Sequence, residues 1–206
     1  MPKVLAERLR RGLDVDDDDF DALYPSWGRW LSRIHWTPVA VARRAAELLV
    51  ARPGTRVLDV GAGVGKFALI GSLVTDGVFY GIEQRKHFVQ AAQAAARDLG
   101  TRRAYFLHGN MMALDWSMFD AFYLYNPFVE HLGSLEPLDG TIEVEPKFFS
   151  VYVRFVRQRL LRAVPGTRVA TYHGFGARLP RTYQLEMRVR CGTAPLELWV
   201  KRREEI

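Results

Sequence analysis

The sequence predicts an α/β domain built on a doubly wound, mostly parallel sheet with a C-terminal antiparallel hairpin. Three observations carry this prediction. From position 37 onward, short apolar runs alternate with longer amphipathic ones, the order that successive βα units produce. The short runs are apolar at consecutive positions, as in strands buried on both faces. Two extended runs close the chain, Tyr183 to Arg190 and Leu196 to Arg202, with a turn expected at Cys191 to Pro195, the pattern of an antiparallel hairpin.

The elements follow in order. Met1 to Arg11 is basic and predicts a short helix. Asp16 to Asp19 form an uninterrupted acidic run, read as a solvated linker or a helix start because adjacent like charges repel. Metal binding is the sharper reading, and it requires oxygens converging from a shaped loop. Tyr24, Trp27, Trp30 and Trp36 make the next stretch aromatic. It suits a helix packed on the domain, with a substrate-facing lid or a subunit contact as the alternatives. Thr37-Pro38 then opens a helix, Thr as N-cap and Pro at the first helical position, and Pro53-Gly54 stops it. Strands are expected at Thr55 to Val60, Val78 to Glu83, Ala104 to His108, Ala121 to Tyr125 and Arg168 to His173. Helices are expected at Lys66 to Val74, His87 to Leu99 and Pro146 to Val164. The segments Arg52 to Val57 and Val164 to Val169 share Pro-Gly-Thr-Arg-Val, each ending a helix and starting a buried strand. The resulting division is an N-terminal helical and aromatic extension over 1–36 and a main domain over 37–206.

Composition bounds the function. The 206 residues are 49% hydrophobic and 25% charged, the balance of a globular domain with one sizeable core. A single cysteine, Cys191, excludes an intrachain disulfide and a cysteine zinc cluster. No run approaches the roughly 18 apolar residues of a membrane span, and Met1 to Phe20 lacks the apolar stretch of a signal peptide; a cytoplasmic protein with no membrane partner is expected. The net charge of +6, with arginine dense beyond Lys147, suits a polyanionic partner or a solvated basic face.

The strongest chemical signal is Asp59 with Gly61, Ala62, Gly63 and Gly65 at a strand-to-helix turn. Glycines there let the backbone approach a ligand and take positive φ, and the helix that follows offers free N–H groups to an anion. The spacing is G-x-G-x-G; Lys66 occupies the third-glycine position of the dinucleotide fingerprint G-x-G-x-x-G. One βα unit later, Glu83 with Gln84 ends a strand where a carboxylate could hold both hydroxyls of a ribose. After the next strand, Asn110 could meet an adenine edge and Met111 its ring face.

With these residues in place, the stretch from about Trp36 to Arg202 resembles the class I S-adenosylmethionine (SAM)-dependent methyltransferases. Val57 to Phe67 looks like the first motif of that family, Glu83 falls on its ribose-binding acid, and Asn110 on the adenine-binding position, where aspartate is common. The terminal hairpin resembles the antiparallel feature that separates this fold from NAD-binding domains. The resemblance implies SAM as cofactor, with Asp59, Gly61, Ala62, Gly63 and Gly65 at its methionyl end, Glu83 at the ribose, Asn110 and Met111 at the adenine, and Gln84 also in the cofactor site. No metal is implied.

Tyr125-Asn126-Pro127-Phe128 resembles the Asn-Pro-Pro-Tyr/Phe motif of amine-directed methyltransferases, without the second proline. There the Asn oxygen and the Pro carbonyl hold an amino group against an aromatic ring, which would make Asn126, Pro127 and Phe128 the acceptor site. Gly63-Val64-Gly65 and the Asn-containing strand end are also loosely similar to the non-SET lysine methyltransferases. Glu130 and His131 are placed to line the pocket, and His131 to Pro146 reads as a loop over it. The function expected is methyl transfer to a nitrogen of an acceptor, a protein amine ahead of a nucleic acid or small molecule. The rivals are a non-catalytic SAM- or nucleic-acid-binding module and an NAD-dependent oxidoreductase.

Overall fold

A computed structural model describes residues 1–133 and 138–203, with every side chain among them except those at 30, 33 and 34. Trp30's side chain and Pro137 therefore lie outside the described residues. In chain order the elements are α1 Pro2–Arg10, α2 Asp17–Asp21, α3 Ser26–His35, α4 Val39–Leu49, β1 Arg56–Val60, α5 Lys66–Val74, β2 Val78–Glu83, α6 Lys86–Leu99, β3 Ala104–His108, β4 Ala121–Tyr125, α7 Pro146–Arg162, β5 Arg168–Tyr172, β6 Tyr183–Cys191 and β7 Ala194–Lys201. The seven strands form one sheet in the order β3-β2-β1-β4-β5-β7-β6. The first five pair in parallel, and β7 is antiparallel to both β5 and β6. The architecture is the doubly wound sheet with a terminal hairpin that the sequence predicts.

Alternate strand residues face opposite layers. Val57, Phe79, Tyr123 and Ala170 join one core with α4, α5 and α6. Leu58, Ile82, Phe122 and Val169 join the other, with Tyr152, Val156 and Leu160 of α7. Parallel strands with both faces covered must be apolar at nearly every position, which is why they are legible as continuous runs. The two Pro-Gly-Thr turns are built alike: Gly54 and Gly166 take φ of +79° and +90°, and Thr55 and Thr167 donate their hydroxyls to the Arg52 and Val164 carbonyls, both at 2.7 Å. The strands of the hairpin run closer to the turn than expected. Cys191 pairs with Ala194, so the turn is Gly192-Thr193, with Gly192 at φ +62°, the two-residue loop that suits right-handed strand twist.

The N-terminal segment joins the same core. Leu5, Leu9, Phe20, Tyr24 and Trp36 are buried in the cluster that contains α4 and α5. Trp27 stacks on Phe88 of α6 with ring centroids 5.4 Å apart. The acidic run is a helix start: the Asp16 side chain accepts from the Asp19 N–H at 2.7 Å. Among the described residues no group of metal-ligating side chains gathers there. The acids serve a cation instead. Lys66, 2% exposed, donates to Asp17 at 2.6 Å, to Asp21 at 2.7 Å and to Ser32 at 3.2 Å. An ammonium at the first position of α5 opposes that helix's dipole, and the two carboxylates offset it. Asp17 also accepts from the Val39 N–H at 2.9 Å. Hence α4 starts at Val39, one residue later than predicted, and its cap comes from Asp17. Thr37, the predicted cap, exchanges a buried hydrogen bond with the Tyr123 hydroxyl at 3.0 Å.

Removing Lys66 strands the buried Asp21, and breaking such a pair costs about 3–5 kcal/mol; the half-exposed Asp17 contact contributes less. Lys66→Met should lower unfolding free energy by about 3 kcal/mol in denaturant titrations, and Lys66→Met with Asp21→Asn should recover more than half of the loss. Equal stability of Lys66→Met and the unaltered protein would contradict the clamp.

Candidate active site

The carboxyl ends of β1, β2, β3, β4 and β5 open into one cavity of about 280 Å³, where ligands bind on open α/β sheets. Its wall includes Gly61, Gly63, Glu83, Gln84, Asn110, Met111, Asn126, Pro127 and Phe128. A smaller adjoining cavity of about 50 Å³ takes in Asp59 and Ala62 and shares Gly61 and Gly63 with the first. Of the residues singled out in the sequence, Gly65 alone lines neither. It has φ +78°, and a Cβ there would lie 2.3 Å from the Phe106 ring. Its place is the close packing of the loop on β3 and α6. Gly61 is different: at φ +72°, a Cβ would press on Pro127 at 3.2 Å, so the glycine loop and the Asn-Pro turn lie against each other.

Glu83 organises the loop. It is 8% exposed and accepts from the Gly63 N–H at 3.0 Å and the Arg85 N–H at 2.9 Å. Burial raises its pKa; the two N–H bonds and the Arg85 charge pull the other way without cancelling it. Asp59 sits across from it on β1. Burial first, and the Glu83 charge second, push Asp59 up to about 8. Two carboxyl groups thus share a low-dielectric corner, and the Arg85 guanidinium is hydrogen-bonded to Glu130 and Asp139. Such a corner stabilises a cation that enters it.

Asn110 is spoken for. Its amide donates to Gln84 at 3.1 Å and to the Tyr152 hydroxyl at 2.9 Å, and its oxygen accepts from the Met112 N–H at 2.9 Å. Its observed role is to shape the wall where β3 ends. Asn126 takes φ +39° and His173 φ +57°, the two non-glycine residues with positive φ among the described residues. They end neighbouring strands β4 and β5, both line the cavity, and Asn126 N–H donates to the Gly174 carbonyl at 2.8 Å. Left-handed backbone at a bulky residue is costly and concentrates at functional sites. His173 is further held by Thr193 of the hairpin turn at 3.2 Å.

Glu130 and His131 line the cavity as the sequence suggests, and so does Leu138; residues 134–137 of the expected loop lie outside the described ones. His35, Arg85 and Tyr152 line it too and escape sequence reasoning, while Trp36, which also lines it, belongs to the aromatic stretch for which a substrate-facing position is one of the readings. Burial lowers the pKa of His35 and of His131, with Glu130 opposing; both rings are neutral near pH 7.

No protein-family model and no curated protein matches the chain. Solved structures do. An RNA methyltransferase from Salinibacter ruber, in complex with S-adenosyl-L-homocysteine, is 20% identical with TM-score 0.60, over 83% of this chain and 95% of that one. TrmN from Thermus thermophilus is 22% identical with TM-score 0.58, over 81% of this chain and 49% of that one, so the chain spans about half of TrmN. A variant of MtNAS in complex with S-adenosylmethionine is 15% identical with TM-score 0.55, over 98% of this chain and 75% of that one. The chain has the class I methyltransferase fold. Within it, β7 lies between β5 and β6 and is antiparallel to both.

The Asp59 carboxyl gives a pH test. Its folded-state pKa lies above its ordinary value of 3.8, so its contribution to stability is complete below about pH 4 and is lost as the pH rises towards 8. Without ligand, the melting temperature of the unaltered protein should fall relative to that of Asp59→Asn between pH 5 and pH 8. Parallel curves would show Asp59 to be ionised in the free protein.

Proposed function

We propose that the chain is a SAM-dependent methyltransferase acting on a nitrogen, with Asn126, Pro127 and Phe128 at the acceptor. One observation carries the reading. The glycine loop, Glu83, the turn at Asn110-Met111 and the strained Asn126-Pro127 turn form one continuous cavity wall. The residues present fit SAM. The corner of Asp59 and Glu83 suits its α-ammonium group and ribose hydroxyls, and Gly61 and Gly63 leave room for its methionyl chain. Gln84 and Met111 suit the adenine, and Asn110 holds Gln84 in place. When bound, SAM would supply an electrophilic methyl group on a sulfonium.

The chain's own work is orientation and exclusion of water. An acceptor nitrogen held by Asn126 and Pro127 would need a free lone pair directed at that methyl group. Asn126, fixed by its backbone bond to Gly174, offers a side-chain oxygen to an amino group, and Phe128, buried against Tyr152 with centroids 5.4 Å apart, walls the nucleophile's approach. His35, neutral near pH 7, is available to a proton that leaves the acceptor; His131 is not, because its Nδ1 accepts from the Glu145 N–H at 3.3 Å and the other nitrogen of the neutral ring carries the proton. A protein amine is the first acceptor class. The net charge of +6 and the likeness to the Salinibacter RNA methyltransferase favour nucleic acid as the second. One free cysteine and the lack, among the described residues, of a helix long and apolar enough to cross a membrane suit a cytoplasmic setting.

Incubation with methyl-labelled SAM and separate cellular protein, RNA and small-molecule fractions tests the reading. Label should enter one fraction, and Asn126→Ala should cut the rate about a hundredfold while S-adenosylhomocysteine still binds. Cofactor binding with no transfer to any fraction would favour a SAM-binding module without catalysis.

A further inference from the structure

Arg85 is the most connected charge at the cavity, and neither the fold nor the proposed transfer assigns it a role. It is 3% exposed. Its guanidinium grips Glu130 with two parallel bonds of 3.0 and 2.8 Å and reaches Asp139 through Nε at 3.0 Å. Bidentate pairing fixes direction as well as distance. The same Asp139 oxygen accepts from the Thr141 N–H at 2.9 Å and the Thr141 hydroxyl at 2.7 Å, so the turn over 139–141 is built around an atom that Arg85 holds. The Phe88 ring lies 5.6 Å beneath the guanidinium.

The other end of Arg85 matters as much. Its backbone N–H is one of the two that hold Glu83. One residue therefore touches the ribose-side carboxylate through its main chain and the acceptor-side loops through its side chain. A buried guanidinium between two carboxylates has few alternative arrangements, because leaving either charge unpaired is costly. A ligand that fixes Glu83 fixes the Arg85 backbone, and with it the direction of the fork that holds Glu130 and Asp139.

We propose that Arg85 is a positioning residue that couples occupancy of the cofactor site to the order of the acceptor wall, residues 128–133 and 138–141. The inference rests on the cofactor reading above. It makes the acceptor site complete only when the methyl donor is in place, which keeps water from a half-filled cavity. Coupling is reciprocal: loosening the acceptor wall must weaken the cofactor, although neither Glu130 nor Asp139 touches Glu83.

Hydrogen exchange of the full chain, with and without S-adenosylhomocysteine, tests this. In the unaltered protein, saturating ligand should slow exchange over 128–133 and 138–141 about tenfold. In Glu130→Gln and in Arg85→Lys, which lacks the bidentate fork, ligand should still bind, roughly fivefold or more weakly, and should no longer slow those segments. Asp59→Ala should show the opposite split: weaker binding, with the loops slowed as usual once saturated. Equal slowing in Glu130→Gln and the unaltered protein, or no slowing in the unaltered protein when ligand is bound, would overturn the proposal. Failure of the folded, unaltered protein to bind S-adenosylhomocysteine would overturn instead the cofactor reading on which it rests.

Discussion

Two buried carboxyl groups at adjacent strand ends set the terms for the rest of the site. Asp59 on β1 and Glu83 on β2 are both buried there; burial raises the cost of ionising each, and the Glu83 charge raises that of Asp59 further. Glu83 is held by two backbone N–H groups, one from the glycine loop and one from Arg85. That pair of bonds decides where the loop lies. Asp59 has no comparable donors among the described residues, and burial with the Glu83 charge pushes its pKa up to about 8. A site in this condition gains most from a ligand that carries a positive charge and hydroxyl groups together.

Around that corner the chain spends its other charges on holding loops rather than on solubility. Lys66, at the start of the helix that the glycine loop feeds, draws in Asp17 and Asp21 and so fastens α2 to the start of α5. The segment that follows delivers His35 and Trp36 to the cavity wall. Arg85 does the same for Glu130 and Asp139. Both cations are almost completely buried, and both bind two carboxylates. Buried ion pairs of this kind add little net stability compared with apolar packing, and their use is to specify one arrangement.

The sheet was legible because its physics is local. Strands covered on both faces must be apolar throughout, and β2, β3 and β4 begin and end where the residue pattern puts them. The glycine loop and Glu83 are legible for a related reason: both stand at strand ends, where the roles proposed for them would place them. What was not legible depends on partners far apart in sequence. Asp17 caps a helix that Thr37 was expected to cap, because Thr37 is drawn to Tyr123. Nothing near Arg85 signals its burial; its partners lie 45 and 54 residues away. Asn110 was found at the right wall, but its amide is engaged by Tyr152, a residue of α7 that helical periodicity marks only as core. Lys66 did leave a trace, as the lysine standing where a dinucleotide-binding loop has glycine.

Calorimetric titration with S-adenosylhomocysteine at pH 7, in buffers of different ionisation enthalpy, examines the corner of Asp59 and Glu83 most directly. The account predicts roughly micromolar binding accompanied by release of about one proton, as the ligand's ammonium lets the protonated Asp59 ionise. The proton release should vanish in Asp59→Asn. Binding with no proton exchanged, or no binding by well-folded protein, would contradict it.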